Sequence, residues 1–352
     1  MVTAVGKKLS IWITLGIVLL LLSIVVSVSM GAAQIPLLRV WRILIGAIPY
    51  LGDGIAVDWP VASEQIILQV RLPRIVLGLL VGIALATAGA AFQGVLRNTL
   101  ADPFTLGVAS GAAVGAATLI LLNVQYSLIG MWSIPLVAFT TGMGTLAIVY
   151  TLSRVNGAIR RETLILAGVI VQAFLAALVS FILSLADDTS NQIIFWLMGS
   201  LSMRGWQFSA VIAPFILLGV VVLCSYGRTL NIFELGERSA YHLGVRVEWT
   251  KWVVLSVATL MAAAAVSVAG VIGFVGLVIP HLVRLMVGPD YRLIIPLSAL
   301  TGAIYVTWAD TLARMLLAPT EIPLGVLTAF LGVPLFIYLL WKYKQSIGGA
   351  ER

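Results

Sequence analysis

The sequence predicts an all-α membrane protein of about ten transmembrane helices, forming one domain over residues 1–352. Three observations predict it. Apolar residues make up 61% of the chain and charged residues only 10%, whereas soluble domains carry roughly a quarter charged residues. Apolar runs of about 20 residues recur along the chain, each long enough to cross roughly 30 Å of hydrocarbon. Lys and Arg fall mostly in alternate loops, as membrane insertion requires.

The first run, Leu9–Met30, follows Lys7 and Lys8 and precedes Gly31, Ala32 and Ala33. That order resembles a signal peptide with a small-residue cleavage site. The run exceeds the 7–15 residues typical of a signal core, so it reads as an uncleaved first helix. Further spans are predicted near Ile75–Leu96, Leu106–Leu122, Ile134–Leu152, Thr163–Leu185 and Phe208–Tyr226. The remaining ones are Trp252–Val268, Val271–Met286, Leu293–Leu312 and Pro323–Trp341. The third and eighth are short and Gly-rich, so tilted, broken or centrally buried helices are expected there.

With a cytoplasmic N-terminus, 15 of the 21 Lys and Arg residues fall on the inside and 6 on the outside. Both termini are therefore expected in the cytoplasm. The formal charge of +7 follows from these basic loops and does not call for nucleic acid. Cys224 is the single cysteine and His242 and His281 are far apart. That excludes an internal disulfide and a Cys/His metal cluster, and no cofactor is implied.

Gly78 and Gly82, and Gly107, Gly111 and Gly115, repeat at every fourth position. Such rows let helix backbones approach closely in lipid, either within one subunit or at a moving interface. Ala88-Gly89 with Phe92-Gln93-Gly94 is echoed by Ala269-Gly270 with Phe274-Val275-Gly276. The echo spans five helices, as an inverted pseudo-repeat demands.

No phosphate-binding loop, paired-His helix or nucleophile elbow is present. The spans hold almost no acidic residues, and Asp310 is placed near the outer end of its span, a poor position for a proton relay. Energy must then come from elsewhere. The segment Gly227–Lys251 mixes Glu234, Glu237, Arg238, Arg246 and Glu248 with Leu230, Phe233, Leu235, Tyr241 and Leu243. Gly236 and Gly244 divide it into two short helical stretches. It reads either as a docking surface for a partner or as a solvated loop. On the opposite face, Arg71, Arg74 and Arg314 read as lipid-headgroup anchors or as a dock for an acidic partner. Asp102 before Pro103 reads as a helix start.

Arg71-Leu72-Pro73-Arg74, the 88–94 motif, Asn98–Gly107, Gly270–Arg284, Ala309-Asp310, Arg314, Glu321–Gly325 and Gly332-Val333-Pro334 together resemble the FecCD-type permeases. The resemblance runs from about Arg71 to Trp341. Thr99 stands where many members carry Pro. That family serves type II ATP-binding cassette importers for iron–siderophore complexes, haem or vitamin B12. The resemblance implies a homodimer, or a dimer with a close paralogue, in the cell membrane. It implies two cytoplasmic ATPase subunits and an extracytoplasmic binding protein, with iron–siderophore import as the first expectation. It assigns Arg71, Arg74 and Arg314 to the binding protein. It assigns Leu235, Gly236, Glu237, Ala240, Leu243 and Gly244 to coupling with the ATPases. Gly168, Gly325 and Gly332 fall on the helices, Gly168–Leu185 and Leu324–Tyr338, that it implies for the pathway. His281 belongs to a structural Pro-His pair.

Two other classes need features that the sequence does not show. A membrane-embedded enzyme needs a clustered acid/base or metal set. An ion-coupled transporter needs buried charges within its spans.

Overall fold

The computed structural model describes residues 2–348, apart from 32, 51–53, 55, 125, 127, 128, 156 and 157. Helix α1 (Val2–Ser29) leads to α2 (Leu37–Gly46) and α3 (Val61–Gln65). A π-helical turn, Ile66–Arg71, joins α3 to α4 (Leu72–Leu96). Pro73 removes one backbone donor just beyond that turn, where a widened helix is tolerated. A 3-10 turn, Pro103–Leu106, precedes α5 (Val108–Leu121), and α6 spans Ser133–Ser153. The Asp102 side chain accepts from the Thr105 amide at 2.9 Å, as its place before Pro103 predicts. A small hairpin, β1 (Arg154–Val155) on β2 (Ala158–Ile159), is the one strand pairing among the described residues. Then come α7 (Arg161–Leu185), α8 (Ser190–Leu197), α9 (Trp206–Ser225), α10 (Gly227–Phe233) and α11 (Glu237–His242). The chain ends with α12 (Val247–Ala269), α13 (Val275–Val287), α14 (Tyr291–Met315) and α15 (Leu324–Gly348).

Among the described residues, seven helical stretches are long and apolar enough to cross a membrane, and three apolar helices are shorter. Each predicted span falls on one of these ten. The short third and eighth are α5 and α13, of 14 and 13 residues. The sequence reading left 31–69 without elements, whereas the structure places α2, α3 and the π turn there. Val40 and Ile43 of α2 pack with Trp59, Ile67, Ile75 and Val28. Only that narrow stripe of α2 is buried, too little to stand out between Arg39 and Arg42.

Helix α4 is the axis of the bundle and is buried along almost its whole length. Small residues permit this. A Cβ on Gly82 would overlap the Gly302 carbonyl of α14, and one on Gly89 would overlap the Gly276 carbonyl of α13. The two echoed segments thus pack against each other, and Gln93 Nε2 donates to Leu277 O at 3.1 Å. The row Gly111 and Gly115 of α5 lies against Thr145 and Thr141 of α6. Helix α1 lies on α14, where Trp308 Nε1 donates to Ser23 Oγ at 3.0 Å, and Lys8 Nζ reaches Val287 O at the end of α13 at 2.7 Å.

The perimeter is apolar and exposed, with Leu21, Phe174, Leu218 and Phe330 among the residues facing outward. Water would make that surface costly, at about 25 cal/mol per Å². Lipid removes the penalty, because backbone groups inside the helices are already paired.

Candidate functional site

Chemistry-bearing residues gather at the two ends of the bundle. At one end stand the arginines. Asp310 and Arg314 lie one turn apart on α14 and so share a face. Arg71 and Arg74 flank the start of α4. Arg74 grips the Asp310 carboxylate through Nε at 2.9 and 3.1 Å and through a terminal nitrogen at 2.9 Å. It also donates to Glu321 Oε1 at 2.8 Å. Arg314 Nε lies 3.1 Å from Asp310 Oδ2, and its terminal nitrogens reach Ser27 Oγ and Met30 O. Arg71 donates to the carbonyls of Val28, at 2.9 Å, and Ala33.

All three side chains are withdrawn into the chain. Arg71, Arg74 and Arg314 are only 4%, 8% and 6% exposed. A guanidinium buried at the edge of an apolar bundle is costly without acceptors. Asp310, Glu321 and the end of α1 supply them. Asp310 is correspondingly a buried counter-ion, and the expectation of no buried charge fails here. The i,i+4 spacing of Asp310 and Arg314 was a signal for it in the sequence.

Glu321 lies in the loop before α15. Burial works against its carboxylate, but hydrogen bonds from Arg74 and Ser202 outweigh it and hold the pKa below the ordinary value. Glu321 therefore links α4, the 198–205 loop and the start of α15. Its own isolation in sequence from Arg74 and Ser202 hid this role.

At the opposite end lies the 227–251 segment. It forms α10 and α11, as the two glycines predict. Gly236 has φ 103° and Gly244 φ 82°, both in the region that side chains avoid. Ala240 is buried, while Leu235, Tyr241 and Leu243 are 65%, 72% and 61% exposed. The segment presents an apolar ridge.

That ridge is clamped to the body. Lys251 is buried at the start of α12, and its ammonium donates to Glu237 at 2.7 Å, Ile159 O at 2.9 Å and Glu248 at 3.1 Å. Three donors meet three acceptors, which fills the capacity of a lysine. Glu248 in turn accepts from the Ile159 amide at 2.9 Å. Ile159 belongs to β2, two residues before α7. Glu237 is thus a strut of the clamp, a role its place among solvated charges did not reveal. A second clamp joins α10 to α14. Asn231 donates to Asp290 at 2.7 Å and accepts from the Tyr291 amide at 2.8 Å. Hydrogen bonds from Arg292, and then Asn231, push the Asp290 pKa down to about 2.

Gly168, Gly325 and Gly332, which the resemblance places on pathway helices, sit at close helix contacts. A Cβ on Gly168 of α7 would overlap Thr105 O. One on Gly325 would lie 2.5 Å from Met198 O and 2.6 Å from Val271 O. One on Gly332 of α15 would lie 2.6 Å from Phe274 Cβ. The His281 ring packs edge-on to Phe336 at 6.3 Å, and its Nδ1 meets no hydrogen-bond partner among the described residues. No group of His, Cys, Asp and Glu suited to a metal ion occurs among the described residues.

An apolar bundle with polar clusters confined to its ends, and short Gly-broken helices within, defines a multi-pass membrane permease. The FecCD transport family matches residues 19–342, and the chain belongs to that family. It is the permease component of an ATP-binding cassette importer. It is 43% identical to the uncharacterized ABC transporter permease protein YvrB of Bacillus subtilis, covering 95% of this chain and 94% of that one. It is 44% identical to the cobalamin import system permease protein BtuC of Halobacterium salinarum, covering 80% and 74%. Further relatives are named for hemin, Fe(3+) dicitrate and molybdate transport. A solved ABC transporter assigned to the metal-chelate type, in an inward-facing conformation, superposes with a TM-score of 0.80 at 33% identity. It covers 95% of this chain and 99% of that one.

Proposed function

We propose that this permease forms a single ten-span domain with both termini in the cytoplasm, and that it imports an iron–siderophore complex. An extracytoplasmic binding protein delivers the chelate to the arginine end. Two ATPase subunits bind the 227–251 segment of a dimeric permease and supply the energy. The observation that carries this reading is the clamped apolar ridge. Leu235, Tyr241 and Leu243 form an unpaired docking surface, yet Glu237 ties that surface through Lys251 to Ile159 and the start of α7.

The clamp defines a mechanical route. Closure of the ATPases on ATP displaces α11. Lys251 passes the displacement to the hairpin, and the hairpin carries it to α7. The Asn231–Asp290 clamp carries the same displacement to α14. Helices α7 and α15 border the pathway, and the tight contacts at Gly168, Gly325 and Gly332 are where packed helices exchange between two arrangements. At the other end, a carboxylate of the binding protein competes with Glu321 for Arg74 within the Arg71–Arg74–Arg314 cluster. Since Glu321 precedes α15, docking reaches the pathway helix directly.

ATP-driven uptake of labelled ferric siderophore into proteoliposomes tests this function. Uptake that persists without the ATPase subunits refutes it. The 44% identity to a cobalamin import permease supports a second substrate, cobalamin. Titrating the binding protein with both chelates, and with haem, decides among them.

A further inference from the structure

Arg71, Arg74 and Arg314 are all held by acceptors within the chain. Arg204, in the loop between α8 and α9, is not. Among the described residues no hydrogen-bond acceptor meets it, and its Nε is shielded from water without a partner. Its guanidinium lies over the Phe208 ring at 4.9 Å, and Phe208 is itself backed by Trp132 at 4.8 Å. Burial pushes its pKa down. Arg204 is only half-buried as a whole, but a buried guanidinium Nε without an acceptor is an unusual expense in a folded protein.

The arginine is also held in place. Ser200 N donates to Ala269 O at 2.8 Å, Ser202 Oγ donates to Glu321, and Trp206 Nε1 donates to Leu68 O at 2.9 Å. The loop is thereby tied to α12, to the segment before α15 and to the π turn. Beside it opens a cavity of about 270 Å³, lined by Gln69, Arg74, Leu201, Met203 and Arg204 among others. No acidic residue lines it. Met203 stands fully exposed at the rim. The cavity is small, pre-formed and cationic, at the same end as the arginine cluster. One carboxylate side chain fits its size and its charge.

We propose that this cavity accepts a carboxylate of the extracytoplasmic binding protein, with Arg204 serving as a cation that has no counter-charge of its own among the described residues. The proposal rests on the docking reading above and adds a site to it. Arg74 and Arg314 must first release Glu321 or Asp310, and Arg71 its backbone carbonyls, to engage a partner. Arg204 needs no such exchange, so it makes the first contact and sets the affinity.

The test uses the permease–ATPase complex in nanodiscs. The probe is the purified binding protein that supports uptake by the wild-type complex. Arg204→Glu is expected to weaken docking roughly tenfold or more, the scale of a lost charged hydrogen bond. Arg204→Lys is expected to lose less. Changing one acidic residue of the binding protein to Lys is expected to rescue Arg204→Glu. Arg204→Gln, which keeps a planar head over Phe208, carries the test if Arg204→Glu does not fold. Unchanged affinity across folded Arg204 variants overturns the proposal and leaves the docking reading standing. A loss seen in discs with anionic lipid and absent in zwitterionic ones also overturns it, because Arg204 then holds a lipid phosphate. If no binding protein docks to the wild-type complex, the docking reading itself fails and the proposal falls with it.

Discussion

Replacing Lys251 with methionine cuts the clamp while keeping an apolar stem of similar length. The structure sets the expected magnitude. Glu237 and Glu248 have side chains 42% and 46% exposed. They return to water when the ammonium is lost, and each screened pair contributes only about 0.2–1 kcal/mol. Ile159 is buried, and its carbonyl is left without this donor, which costs about 1–3 kcal/mol. The expected destabilisation is therefore about 2 kcal/mol, borne locally by the joint between α11, β2 and the start of α7. That equals roughly a thirtyfold shift in the population of the clamped arrangement. Such a loss leaves a membrane protein of this size folded but loosens one joint. Uptake per ATP hydrolysed in proteoliposomes should fall by about tenfold or more, while the ATPases remain bound through Leu235, Tyr241 and Leu243. Lys251→Arg keeps a charge within reach of both carboxylates and should retain part of the coupling. Wild-type uptake per ATP in a folded Lys251→Met complex refutes the route from α11 to α7.

Other outcomes follow from the same geometry. Asp310→Ala strips the shared carboxylate from two buried guanidiniums and should destabilise the protein by about 3–5 kcal/mol, measured by unfolding in mixed micelles. The triple change Arg74→Met, Asp310→Leu and Arg314→Met, which removes both guanidiniums with their shared carboxylate, should recover most of it, and a single-site loss below about 1 kcal/mol would show that the cluster behaves like an exposed pair. Gly89→Val drives a side chain into the Gly276 carbonyl and should cost more than the usual 1–3 kcal/mol of overpacking, read as loss of a monodisperse permease after extraction. The Asp290 pKa of about 2 lies below its unfolded value near 4. Its stabilisation is therefore full above about pH 4 and is lost as pH falls toward 2. Asp290→Asn should flatten the acid limb of the stability curve and lower stability at pH 7 by about 2 kcal/mol.

Much of the architecture was legible because lipid imposes a coarse rule. A helix must be apolar for about 20 residues, and most runs from Leu9–Met30 to Pro323–Trp341 come close to it, α5 and α13 falling short. The small-residue rows were legible too, since Gly82 and Gly89 have no other use in an apolar helix than close approach. The helices over 37–71 were missed because their buried stripe is only a few residues wide. The two glycines of the 227–251 segment marked its helices correctly, because a positive φ leaves a compositional trace.

The site was legible in part. The sequence by itself determined the class of protein, the greasy perimeter and the placing of charge at two ends. It determined these because each depends on composition or on neighbours within a turn or two. The tertiary structure alone decided what the charges do. Arg74 meets Asp310 and Glu321 across more than two hundred residues, and Lys251 meets Ile159 across 92. Arg204, by contrast, is left without a partner among the described residues. A charge in a sequence is only a candidate for burial or exposure. Which one it becomes depends on whether distant segments bring an acceptor to it, and desolvation enforces that choice.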